Sequence, residues 1–234
     1  MHAFSFPFSP RKSSMFFLVN ELSKTMQTIE KHIVSRIYGR GRGWAFSAND
    51  FSADFGRSTV DWVFYNLVAA GTIRRVYRGM YDYPKYSELL KQQLSPDFDQ
   101  VAQAFARKFN WRIQPSGDAA LNLLGLSTQV PGRLVYLSDG PNRQYEVGDG
   151  GDQTGRFTLE FKKSALKDVG FKYRESGLLV QALKALGKER IDDAVIATLR
   201  KRLDEATCMR VRHDTVTATG WVYDAIKRIC GERG

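Results

Sequence analysis

Between residues 57 and 78 the chain gathers side chains suited to gripping a polyanion. Arg57, Ser58, Thr59, Trp62 and Asn66 fall at the head and along one face of a short stretch, and Arg74, Arg75 and Arg78 come after it. Guanidinium groups form paired bonds to phosphate oxygens and to guanine edges, and an asparagine amide matches adenine. Upstream, Gly39-Arg40-Gly41-Arg42-Gly43 places two more guanidiniums on pliable backbone. That run clasps phosphates or serves as a plain turn between helices. It lacks the Gly-Lys-Ser/Thr ending of a phosphate-binding loop, and no strand precedes it as a dinucleotide fingerprint requires.

These residues need a frame, and the pattern from Phe46 to Pro84 supplies one. Ser47 is expected to cap a short helix whose first turn holds Asn49 and Asp50. Phe51 and Phe55 share its inner face, and Gly56 ends it. Ser58 is expected to cap a second helix over 59–70, with Asp61 placed as in a capping box and Gly71 as its stop. Val60, Val63, Phe64, Leu67 and Val68 recur at helical spacing, which leaves Asp61, Trp62, Tyr65 and Asn66 on the other face. Two β-branched and aromatic runs then flank Arg78-Gly79 and predict a hairpin. Two short helices and a hairpin make a winged helix-turn-helix. Its second helix enters the major groove, and the wing arginines reach the backbone. The bland alternative makes Trp62 and Tyr65 cover for a neighbouring helix, and the arginines a solvated edge.

The stretch from Gln27 to Pro84 resembles the N-terminal winged-helix domain of AbiEi-type antitoxins from bacterial type IV toxin–antitoxin systems. Carrying the likeness are an opening helix, a short helix around Phe51, Leu67-Val68-Ala69-Ala70-Gly71-Thr72-Ile73-Arg74-Arg75, and Arg78-Gly79-Met80-Tyr81 leading to Pro84. Residues 116–126 and 131–137 also resemble the second domain of those proteins. The resemblance implies a repressor of its own promoter. It also implies a partner toxin akin to nucleotidyltransferases, with which no stable complex need form.

At 234 residues with 43% hydrophobic content, the chain is long enough for two modest domains. Its formal charge of +10 favours a polyanionic partner. Two cysteines and three scattered histidines form neither a disulfide framework nor a zinc motif, which fits a reducing cytoplasm. No apolar run is long enough to cross a membrane. Residues 1–25 are expected to be a flexible arm, 26–86 the winged helix, and 87–234 a mixed α/β domain. Within the winged helix, Thr28 is expected to cap the first helix, with Ile29, Ile33 and Ile37 inward.

In the second domain a linker with a short helix around Leu89 and Leu90 leads to a helix from Asp97 or Asp99. A short extended piece comes next, then a helix capped by Ser116. Residues 133–138 are a strand, 139–142 a turn, 143–147 its partner, and 156–163 a third strand with Phe157, Leu159 and Phe161 on one face. Helices over 176–186, 192–203 and 216–230 close the chain. Two enzymatic readings arise here. Glu160 and Lys162 on a strand, with Asp139, match the two-acids-and-lysine set of metal-dependent nucleases. Such Glu-x-Lys matches are frequent by chance, and an alternating strand explains the pair. The acidic loop 148–152 lacks the ligand spacing of a calcium loop and is expected to join two strands.

The expectation is therefore an α+β protein that is not an enzyme and needs no cofactor or metal. It would act in the cytoplasm as a DNA-binding autoregulator and antitoxin, touching double-stranded DNA through Arg40, Arg42, Ser47, Arg57, Ser58, Thr59, Trp62, Asn66, Arg74, Arg75 and Arg78. The alternatives are a metal-dependent nuclease built on Glu160 and Lys162, or a protein-interaction adaptor.

Overall fold

The computed structural model describes residues 11–128, 132–148, 156–164 and 170–231. The fold is α+β. The first helix, α1 (Arg11–Arg40), begins well before Thr28, so residues 11–25 are helical where an arm was expected. Thr28 is no cap; its hydroxyl donates to the Lys24 carbonyl one turn back, at 2.9 Å. Residues 1–10 lie outside the described residues. Ile33 and Ile37 are fully buried on the inner face of α1.

After α1 come β1 (Ala45–Phe46), a 3-10 turn (Ala48–Phe51), α2 (Arg57–Ala69), β2 (Arg74–Tyr77) and β3 (Met80–Asp82). The strands form an antiparallel sheet in the order β1-β3-β2. This is the winged helix-turn-helix order. Val60, Val63, Phe64 and Leu67 form the buried stripe of α2 and pack on Ile33, Ile37, Phe46 and Phe51. Phe46, Phe51 and Phe64 meet edge to face, with centroids 5.3–5.8 Å apart.

The expected helix at Leu89 and Leu90 is instead a small hairpin, β4 (Tyr86–Ser87) with β5 (Gln92–Gln93). Lys91 takes the left-handed conformation (φ 52°), and the Ser87 hydroxyl accepts the Leu90 N–H at 3.2 Å, which turns the chain before a helix can start.

Next come α3 (Phe98–Phe109), β6 (Ile113–Pro115), α4 (Asp118–Leu123), β7 (Arg133–Ser138), β8 (Arg143–Val147) and β9 (Phe157–Lys163). Asp97 caps α3 by accepting the Gln100 N–H at 3.2 Å. Gly117, not Ser116, stands at the head of α4. The sheet order is β6-β7-β9-β8. The hairpin expected between 133–138 and 143–147 does not form: β9 lies between them, parallel to β7 and antiparallel to β8. Loop residues 149–155, on which the acidic loop largely falls, lie outside the described residues.

The chain ends in α5 (Arg174–Leu186), a 3-10 turn (Lys188–Arg190), α6 (Asp193–Arg200), α7 (Glu205–Asp214) and α8 (Gly220–Cys230). Their buried leucines, isoleucines and valines form one cluster with Ala120 and Leu124 of α4.

Helix α3 matters most for placing the site. It lies on the face of the wing sheet opposite α2. Ala45, Val76 and Met80 from the winged helix share one buried cluster with Val101 and Phe105 of α3 and with Leu134, Tyr136, Leu159 and Phe161 of the larger sheet. The wing is thus anchored to the four-stranded sheet, and the Gly148 N–H donates to the Val76 carbonyl at 3.1 Å.

Candidate nucleic-acid interface

Helix α2 starts two residues earlier than its serine suggested. The Thr59 and Val60 N–H groups both donate to the Gly56 carbonyl at 3.1 Å, so Arg57 and Ser58 lie inside the first turn and Ser58 is not the cap. Asp61 does not reach back to the cap either. It accepts the Arg57 Nε–H at 2.9 and 3.1 Å as an exposed pair one turn apart. Such a pair contributes about 0.3–0.5 kcal/mol.

The outer face of α2 carries Arg57, Ser58, Asp61, Trp62 and Tyr65 in solvent, with Thr59 and Asn66 half-buried at its margins. Trp62 is 45% exposed and Tyr65 74%, and neither belongs to the buried cluster of the winged helix. Arg75 and Arg78 on the wing are exposed too. The structure brings these seven expected residues, Arg57, Ser58, Thr59, Trp62, Asn66, Arg75 and Arg78, onto a helix and the hairpin beside it.

Four other expected contacts take different roles. Ser47 is buried: its N–H donates to Asp50 Oδ2 at 2.8 Å and its hydroxyl to the same oxygen at 3.4 Å, so it fixes the 3-10 turn from inside. Arg74 turns inward and grips buried Asp82 with two bonds, at 2.7 and 3.1 Å. A cation committed this way is withdrawn from phosphate. Arg42 donates to the Pro84 carbonyl at 2.9 Å and lies over the Tyr83 ring, closing the base of the wing. Arg40 is exposed but stacks over Trp44, in a small cleft shared with Arg36, Asp50 and Arg107.

Lys108 was missed. Its side chain comes from the last turn of α3, outside the winged helix, yet its ammonium stands 3.4 Å from where a Cβ on Gly79 would sit. Burial lowers the Lys108 pKa, and the charge of Arg57 lowers it further. On a helical wheel Lys108 lies beside Phe105 at the edge of the buried face, but only the tertiary fold shows what its ammonium meets.

Behind this surface lies a buried polar knot. Asp99 on α3 accepts the Tyr136 hydroxyl at 3.1 Å and pairs with Arg174 at the head of α5. Burial raises the Asp99 pKa despite the opposing Arg174 charge, and burial together with Asp99 holds Tyr136 well above its ordinary value. The knot joins α3, β7 and α5.

The carboxylates of the nuclease alternative are engaged separately. Glu160 is bonded by Arg133 at 2.6 Å, with Lys162 at 3.9 Å, whereas Asp139 accepts the Arg112 N–H at 2.8 Å at its own turn. Among the described residues no group of three or more His, Cys, Asp or Glu side chains is placed to hold a metal ion. No helix among them is long and apolar enough to cross a membrane.

A family model described as a family of unknown function, DUF6088, matches residues 32–211. The chain belongs to the DUF6088 family. The matched region opens within α1 and runs into α7, so it includes the winged helix, α3, the four-stranded sheet and much of the helical end. In this DUF6088 chain the winged helix and the sheet region therefore fall inside one family unit, as their shared core requires. No curated protein matches the chain.

Proposed function

We propose that this DUF6088 protein is a sequence-reading DNA-binding protein that regulates its own promoter in the cytoplasm. One observation carries the proposal: the outer face of α2 and the wing arginines Arg75 and Arg78 are exposed together, in the winged-helix order that presents them to a duplex. Bases would be read from Arg57, Ser58, Thr59, Trp62 and Asn66. Arg75 and Arg78 would hold the backbone. The net charge of +10 supports such a partner.

The antitoxin half of the proposal rests on the resemblance of residues 27–84 and 116–137 to AbiEi-type antitoxins. On that basis the protein would counter a nucleotidyltransferase-like toxin without needing a stable complex. Co-expression with the neighbouring gene's product is the test, and growth rescue that survives loss of DNA binding is the expected outcome.

The DNA half is tested by fluorescence anisotropy with the protein's own upstream duplex, against a random duplex, at two salt concentrations. Tight, sequence-preferring and salt-dependent binding is expected. Equal weak binding to both duplexes would leave the adaptor reading in its place. Exposed Trp62, Tyr65 and Val68 on one helix favour that second reading, since aromatic anchors also suit a protein partner.

A further inference from the structure

We propose that Lys108, Arg57 and the wing turn at Arg78-Gly79 form one phosphodiester-binding spot, so that helix α3, outside the winged helix, also grips the DNA backbone. This rests on the DNA-reading role above and names a contact that role does not include.

The position of Lys108 is fixed by its neighbours. The Asn49 side-chain amide donates to the Lys108 carbonyl at 3.1 Å. The preceding residue, Arg107, bonds Asp50 at 2.6 Å and the Ala45 carbonyl at 2.7 Å. Phe105, one turn back, is fully buried. The last turn of α3 is therefore pinned against the 3-10 turn and β1, and the Lys108 ammonium lies beside Gly79.

Among the described residues no carboxylate lies within ion-pair distance of that ammonium. Arg57 spends its Nε on Asp61, which leaves both terminal nitrogens outside that pair. The Lys108 ammonium is partly desolvated and feels the charge of Arg57, and against this it has the Phe109 ring, 5.5 Å away, but no carboxylate of its own. An anion placed between the two cations removes their repulsion. Lysine is a compact point charge with three donors, which suits a single phosphate. The spot lies between the head of the groove-reading helix and the wing, where a duplex strand passes from one contact to the next.

Two measurements on the full chain test this. In the first, lysine acetylation is tracked by mass spectrometry with and without the upstream duplex. Lys108 should be protected several-fold, while Lys184 and Lys188 at the helical end keep their rates. A bound complex in which Lys108 reacts at the free rate overturns the spot and leaves the DNA reading standing. A protein that binds no duplex overturns both. In a parallel arm, inorganic pyrophosphate alone should also slow Lys108 if the spot takes free phosphates, and protection by the duplex alone would assign it to the DNA backbone. In the second measurement, Lys108→Gln should make the plot of log affinity against log salt shallower by about 0.9, the share of one phosphate, and Lys108→Arg should restore it. An unchanged slope in Lys108→Gln overturns the proposal.

Discussion

The cations of the winged helix fall into two populations, one on its inner seam and one on its outer face. On the seam each cation meets a carboxylate or a carbonyl: Arg74 with Asp82, Arg107 with Asp50 and the Ala45 carbonyl, and Arg42 with the Pro84 carbonyl. Outside, Arg75, Arg78 and Lys108 have no carboxylate within ion-pair distance among the described residues. Arg57 is the intermediate case, with an exposed partner in Asp61. Bonding separates the two sets more than burial does: Arg74 is nearly buried, but Arg42 and Arg107 are exposed like Arg75 and Arg78, and Lys108 is half-buried. Where water is excluded, an unpaired charge costs several kcal/mol, so the fold must satisfy it. Where water remains, a cation can stay unpaired at little cost and be available to a ligand.

The largest effect that would test this contrast lies in the seam itself. Phe105 is fully buried and touches the rings of Tyr77, Tyr145 and Phe161. Phe105→Ala should remove about 3–5 kcal/mol. Because the cluster contains residues of both the winged helix and the sheet region, unfolding should remain one transition by fluorescence and by circular dichroism. Two separated transitions would show that the winged helix is held independently.

Next comes Arg74→Ala, which strips buried Asp82 of a two-bond cation and should cost about 3 kcal/mol in chemical denaturation. Arg78→Ala is the matched outer change and should shift stability by no more than about 0.5 kcal/mol. It should instead weaken binding to all duplexes alike and reduce the salt slope by about 0.9. A DNA defect in Arg74→Ala at full folding, or a folding defect in Arg78→Ala, would break the division between the two sets.

A smaller effect comes from the buried knot. The Asp99 pKa is raised from 3.8, because burial outweighs the Arg174 charge and the Tyr136 hydrogen bond, with Asp97 also adding negative charge nearby. An acid whose folded pKa lies above its unfolded one holds its proton better when folded. Its contribution is full below the unfolded value of 3.8 and declines as pH rises through that value to the folded pKa. Asp99→Asn keeps the shape and removes the decline. Melting temperatures between about pH 4 and 7 should show the variant gaining on the parent as pH rises. A variant that loses ground to the parent as pH rises would mean that Arg174 lowers this pKa rather than burial raising it.

How much of this was legible in the sequence depends on range. The inward positions Val60, Val63, Phe64 and Leu67 of α2, its stop at Gly71, the span of β7 and the inward set Phe157, Leu159 and Phe161 come from local periodicity, and the structure places them as read, while Val68, read into the same stripe, is exposed. The pairing of β7 was not legible, because local pattern gives strands but not the order in which a later strand inserts. Helix α7 escaped notice because its sequence is polar and only Cys208 and Val211 are buried. At the candidate site, exposure of Trp62, Tyr65 and Arg78 could be read from the helix and hairpin pattern. The capture of Arg74 could not. It depends on Arg74 standing opposite Asp82 across the wing, in a register that slips between Arg75 and Tyr77 and turns Val76 inward. Lys108 was equally invisible, since its neighbours Arg57 and Gly79 are far from it along the chain.

The smallest stability effect carries the most specific functional information. Asn66 lies half-buried at the margin of the outer face of α2, with its backbone carbonyl accepting the Ala70 N–H at 2.9 Å at the helix end. Truncating its amide leaves that backbone bond intact, so Asn66→Ala should change stability by no more than about 0.5 kcal/mol. If the amide reads a base edge, the loss should fall on the upstream duplex alone, by about 1–3 kcal/mol of discrimination, with the salt slope unchanged. Arg78→Ala should show the reverse, a uniform loss with a changed slope. Paired titrations of the two variants on upstream and random duplexes separate base reading from backbone holding. If Asn66→Ala weakens both duplexes equally, the amide reads no base, and the task of telling sequences apart moves to Arg57, Ser58 and Thr59 at the head of the helix.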